Sequence, residues 1–129
     1  MLMNSGEKRT ELSRLRLQLR ALLADLAQTL RVVLGRAPLI RGNVYEIARR
    51  CGTPHCACTR GRLHRNMVIT WTEKGKHRLR SIPPARLAAV RQRSEEYLRF
   101  RRARAQVSVL LRKILALVDR IQELRREEL

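Results

Sequence analysis

The sequence predicts a mainly α fold: two long helices forming an antiparallel coiled-coil hairpin, with a small β-hairpin module between them. Three observations lead there. Leu and Arg together make 46 of the 129 residues. Only Phe100, Trp71, Tyr45 and Tyr97 are aromatic, too few for a sandwich or barrel built on aromatic and β-branched side chains. Apolar residues recur at helical spacing in two long stretches, and the segment between them holds all three Cys and all three His. At 15.1 kDa the chain reads as a single domain over 1–129.

The first long helix is predicted over 4–34. Leu12, Leu15, Leu19, Leu22, Leu26, Leu30 and Val33 step by three or four, close to a heptad. Asn4 and Glu7 have the spacing of an N-cap and its N3 partner. Gly35 and Pro38 close the segment. A helix of about 29 residues is roughly 44 Å long, so it needs another long element to lie against.

The middle segment, 41–82, changes period. Met67, Ile69 and Trp71 alternate with Val68, Thr70 and Thr72, as strand residues do. Glu73-Lys74-Gly75-Lys76 reads as a hairpin turn with Gly75 at positive φ. His77 to Ile82 then returns, with Arg78 and Arg80 on one face and Leu79 on the other. Asn43 to Arg50 suits a third strand or a short helix; Gly42 and Cys51-Gly52 bracket it tightly and favour the strand.

The second long helix is predicted over 84–128. Pro83 and Pro84 end the strand segment, and proline suits a first helical turn. Phe100, Ala103, Val107, Leu110, Ile114, Leu117, Ile121 and Leu124 form an unbroken a/d seam. Leu111, Leu115 and Val118 widen it, and Leu87, Val90 and Tyr97 continue it weakly toward the N-terminus. This helix outruns the first, and its surplus predicts a homodimer through the coiled coil.

Cys51, Cys56, Cys58 and His64 follow C-x4-C-x-C-x5-H. Thiolate sulfur and imidazole nitrogen within 14 residues suit tetrahedral Zn2+. Gly52 and Pro54 lie in the first gap, where a knuckle turns backbone N–H groups toward a sulfur. A Cys3His set leaves no open position, so the metal is expected to be structural and the β module zinc-stabilised. The rival readings are weaker. Cys56-Ala57-Cys58 lacks the two-residue spacing of a redox dithiol. An iron–sulfur cluster wants four cysteines. Three buried free thiols beside an unrelated histidine is the plain alternative. His55, next to Cys56, competes with His64 as fourth ligand; His77 falls on the hairpin.

Arg41-Gly42-Asn43, the run Cys51-Gly52-Thr53-Pro54-His55-Cys56-Ala57-Cys58, then Gly61, His64, the Trp71 hairpin and the Pro83-led basic helix resemble a small uncharacterised bacterial family with a C-G-x-P-x-C-x-C-x(n)-H core. Its members are often encoded beside insertion-sequence transposases. The resemblance covers about residues 40 to 103. After His64 this chain continues Arg65-Asn66-Met67, where the family tends to have Gly-Pro-Tyr. It implies a mobile-element setting and no established activity.

The charge points the same way. With 29 basic and 11 acidic residues the net charge is +18, which implies a polyanionic partner. Residues 41–104 hold 17 basic and four acidic residues, +13 of the total. Arg60 and Arg62 flank the cysteines. Lys74, Lys76, Arg78 and Arg80 lie on the hairpin, and Arg91, Arg93, Arg99, Arg101, Arg102 and Arg104 on the following helix. These twelve are the candidate nucleic-acid contacts, with DNA preferred over RNA. From Asp119 onward the signs mix, as on solvated helix flanks.

Catalysis is not expected. Mg²⁺-dependent strand chemistry needs clustered carboxylates, and the middle offers only Glu46 and Glu73, with Glu95 and Glu96 adjacent on a helix. No Gly-rich phosphate loop occurs. No apolar run approaches the roughly 20 residues of a membrane span, and the free-thiol cluster suits a reducing cytoplasm. The expected function is therefore a non-enzymatic, zinc-stabilised nucleic-acid-binding accessory protein. The alternative is a coiled-coil adaptor that docks a transposase or similar partner.

Overall fold

The computed structural model describes residues 2–129, and its first element, α1, is Ser5–Val33. Asn4 caps it: the Asn4 side chain accepts from the Glu7 amide at 2.9 Å, while the Glu7 carboxylate accepts from the Asn4 amide at 3.1 Å. Two of the four orphan donors at this end are thus satisfied. At the other end the Leu34 amide donates to the Leu30 carbonyl at 2.9 Å.

Three strands follow, β1 (Asn43–Arg49), β2 (His64–Glu73) and β3 (Lys76–Ser81), in the order β1-β2-β3 and antiparallel throughout. The β2–β3 connection has only Lys74 and Gly75 between the paired Glu73 and Lys76, at φ 50° and 78°. Positive φ at both central residues is the type I′ geometry whose twist matches that of the strands. In the middle of β2, Val68, Ile69 and Thr70 are buried in succession. β1 and β3 flank β2 on its two edges, and the in–out alternation of the sequence does not show in burial at this central stretch.

A short 3-10 turn, Pro84–Arg86, leads into the second helix, α2 (Leu87–Arg125). Its first turns belong to the sheet. Val90 is buried with Ile69 and Ile82, and Ile40, Val44, Met67, Trp71 and Leu87 pack around them. The Ile40 amide donates to the Arg93 carbonyl at 3.1 Å, and the Ser94 hydroxyl to the Gly42 carbonyl at 2.6 Å.

The chain divides into two compact units. Arg36–Arg99 form the sheet with the start of α2. The other unit joins the chain up to Gly35 with Phe100–Leu129. In that unit Leu15, Ala103, Leu110 and Leu124 are buried, and the Arg120 guanidinium forks onto both Glu11 oxygens at 2.9 and 3.2 Å.

The expected fold class is therefore corrected. The strand favoured at Asn43 to Arg50 is present as β1, so the β part is a three-stranded sheet and more than a hairpin module, and the order is an N-terminal helix, a sheet, then a C-terminal helix. The two helices are not a coiled-coil hairpin closed around a small insert. The reason lies at Leu87 and Val90, whose weak continuation of the helical stripe serves the sheet. A 3–4 stripe specifies an apolar face and leaves open what covers it. Among the described residues no helix is long and apolar enough to cross a membrane.

Candidate metal centre

Antiparallel pairing sets Arg49, the last residue of β1, opposite His64, the first of β2. The intervening loop must close within that gap, and turns do the work. The Cys56 amide donates to the Thr53 carbonyl at 3.2 Å, with Pro54 pre-setting φ at the second turn position. Ala57–Arg60 form a single 3-10 turn, ended by Gly61 at φ 99°, a left-handed position suited to glycine. The Thr59 amide and hydroxyl both donate to the Cys56 carbonyl, at 3.1 and 2.7 Å.

These turns bring Cys51, Cys56, Cys58 and His64 together, with one ligand atom from each, all within 4.8 Å of one another. The Cys51 and Cys58 sulfurs are 3.4 Å apart, and Cys56 Sγ lies 3.1 Å from His64 Nε2. A tetrahedron with ~2.3 Å metal–sulfur bonds has sulfur–sulfur edges of roughly 3.8 Å, so the four donors can hold one metal ion. Cys58 is fully buried, Cys51 and Cys56 are half-buried, and His64 is exposed.

The surroundings separate the two close thiols. Hydrogen bonding from the Thr53 backbone, with help from Cys58 and the Thr53 side chain, lowers Cys51 to about 6. Burial pushes the Cys58 thiol up, although the Cys51 amide donates to its sulfur at 3.3 Å. The lowering at Cys51 favours its thiolate, the form that binds metal. The spacing anticipates amides aimed at the first sulfur; the Thr53 side chain has no such signal, since threonine beside proline is common in turns. The other histidines stand outside the set: His55 follows Pro54 in the loop, and His77 is opposite Thr72 on β3.

The basic candidates fall in several places. Arg60 and Arg62 are exposed on and after the 3-10 turn of the metal loop. Lys74 is in the β2–β3 turn and Lys76 begins β3. Arg78 and Arg80 pair with Trp71 and Ile69, which places them on the face where α2 packs. Arg91, Arg93 and Arg99 lie on α2 within the sheet unit, and Arg101, Arg102 and Arg104 on its continuation in the other unit. All twelve are exposed except the half-buried Arg93. Among the described residues, only Arg99 of these has a carboxylate partner, Glu96 at 3.6 Å. By contrast Arg65, not singled out from the sequence, pairs with Glu46 across the β1–β2 ladder at 3.3 Å.

Residues 10–92 match the family described as Domain of unknown function (DUF6788). The matched span takes in most of α1, the four metal-site residues, the whole sheet and the first turns of α2. Comparison with curated proteins and with solved structures finds no match.

Proposed function

Since the chain belongs to the DUF6788 family, whose description carries no function, we propose a role from its residues: a non-enzymatic, zinc-stabilised nucleic-acid-binding accessory protein, acting on DNA rather than RNA. The observation that carries this reading is the set of twelve basic side chains, all exposed but the half-buried Arg93 and all but Arg99 without a carboxylate partner among the described residues, in a chain of net charge +18. Cations left free of internal partners are available to phosphates, and their counterions are released on binding.

Zinc is the metal that best suits the donor set. Three thiolates with one imidazole match a closed tetrahedral site, and the harder cations prefer oxygen. With four protein ligands the ion has no vacant position for substrate, so its work is to hold the ends of β1 and β2 together. The mobile-element setting rests on the resemblance at Cys51 to His64, where a transposase is the natural neighbour.

A second reading draws on exposed apolar side chains of the two helices, Leu17 and Leu115 at 69% and 60%. They favour a second copy of the chain, or an adaptor role toward a protein partner. One experiment separates the readings. Purified protein is assayed for zinc by elemental analysis and for salt-sensitive binding to DNA and RNA. Binding that weakens steeply with salt supports the nucleic-acid role; capture of protein partners with no such binding supports the adaptor.

A further inference from the structure

Within the sheet unit two small hollows adjoin Trp71. The first, about 210 Å³, has Ile69 and Val90 among its apolar walls and Arg80 and Arg86 at its polar margin. The second, about 220 Å³, includes Tyr97. Trp71 and Arg41 line both. Drug-sized ligands occupy roughly 300–1,000 Å³, so each hollow suits a single ring system. Trp71 is half-buried and its indole N–H donates to a Glu73 carboxylate oxygen at 3.4 Å. Arg41, Arg80 and Arg86 are exposed, and among the described residues none has a carboxylate partner.

From this juxtaposition we infer that the Trp71 face takes two successive unpaired nucleobases of a single strand, with Arg41, Arg80 and Arg86 on the phosphate that joins them and on those flanking it. The inference rests on the nucleic-acid reading above and specifies its substrate. Two ring-sized hollows that share the Trp71 wall offer an aromatic platform to bases, which present a π-face whatever their identity. Bases in a duplex are already stacked and paired, so they do not enter such hollows without being extruded. Three arginines without internal partners complement the backbone charge, and Arg is suited both to phosphate and to stacking. Arg41 and Arg86 are outside the set expected from sequence, because neither lies in a basic run.

The zinc-loaded chain has one tryptophan, so Trp71 fluorescence reports the site directly. Titration with a short oligothymidine should quench it saturably, and a duplex of matched phosphate count should bind at least about tenfold more weakly at this site. Trp71→Ala should weaken oligothymidine binding roughly 5- to 150-fold, the loss of one stacked base, with Trp71→Phe largely retaining it. If Trp71→Ala does not fold, Arg86→Ala, at an exposed position, should weaken the single strand more than the duplex. Salt-sensitive binding of strand and duplex alike, with Trp71 fluorescence unchanged, overturns this inference and leaves the nucleic-acid role standing. Thymidine monophosphate or a phosphotyrosine peptide binding as tightly as the oligonucleotide also overturns it. No salt-sensitive binding of any nucleic acid removes both.

Discussion

Ser94 donates its hydroxyl proton to the Gly42 carbonyl at 2.6 Å, joining α2 to the residue before β1 across 52 positions of sequence. Both residues are buried, and Gly42 is at φ 139°. A Cβ there would come within 2.7 Å of the Thr70 carbonyl oxygen and of Ile69 Cγ1. Only glycine allows this approach, and only a small hydroxyl residue opposite completes it. Ser94→Ala should destabilise the sheet unit by about 1–3 kcal/mol, since it leaves the Gly42 carbonyl without its partner. Gly42→Ala should cost more, because a backbone oxygen cannot turn aside. Urea unfolding followed by Trp71 fluorescence measures both; a Gly42→Ala midpoint equal to wild type would contradict the packing described.

The metal centre predicts one zinc per chain. Cys51→Ser, Cys56→Ser and Cys58→Ser should each lose most of it and loosen the sheet unit, because binding free energy at such a site is folding free energy. His64→Ala should lose metal and His55→Ala should keep it, since only His64 stands with the three sulfurs. Elemental analysis of the freshly purified variants decides this, with helical circular dichroism showing whether the helices survive. Retention of metal in His64→Ala with loss in His55→Ala would move the fourth ligand.

Some of this was legible from residue patterns and some was not, for physical reasons. Asn4 with Glu7, the Lys74-Gly75 turn and the cysteine–histidine cluster are local: a cap, a turn and a knuckle are set within a few residues, so short-range spacing suffices. The Val90 packing is not local. Its stripe position says that it is apolar, while its partners Ile69 and Ile82 are identified only once the sheet exists. The same holds for the Trp71 hollows, where Arg41 and Arg86 meet through the fold and not through any run of charge.

The Glu11–Arg120 pair gives a pH dependence with a definite sign. Hydrogen bonding from Arg120, the largest effect, lowers Glu11 below its ordinary 4.5. A depressed folded value means that the pair's contribution is fully present above the ordinary value, and is lost as pH falls from there through the lowered one. Thermal unfolding of Glu11→Gln should therefore come at a lower temperature than wild type near about pH 6, with a smaller difference at an acidic pH below the ordinary 4.5. A constant difference between the two proteins at both pH values would contradict the linkage.

Apolar side chains left at the surface of the helical unit predict self-association. Leu111, Leu115 and Val118 are 46%, 60% and 43% exposed, whereas Leu110 beside them is 2% exposed. The seam is thus covered on one side and open on the other. Leu111→Glu with Leu115→Glu should shift the protein to a monomer in light scattering while leaving the helical signal intact. Ile114→Asp or Leu117→Asp should instead lower stability, because a charge would enter the half-buried seam. A monodisperse wild-type monomer at micromolar concentration removes the dimer.

The last prediction concerns where phosphate is met. If about six to eight phosphates are neutralised, log K for duplex DNA should fall with log salt at a slope of roughly −5 to −7. Arg101, Arg102 and Arg104 are exposed on α2, and among the described residues none is held by a carboxylate. Replacing all three by Ala should flatten that slope by up to about three units, and helicity should persist because Ala is the better helix former. Arg125 and Arg126 are the internal control. Arg125 ends α2 and Arg126 follows it among acidic neighbours, and Arg126 already pairs with Glu128 at 3.6 Å, so their replacement should leave the slope nearly unchanged. An equal flattening from that pair would place DNA at the C-terminal end of α2 and away from the Arg101–Arg104 segment. A slope near zero for the wild-type protein would turn the basic surface from phosphate toward an acidic protein partner.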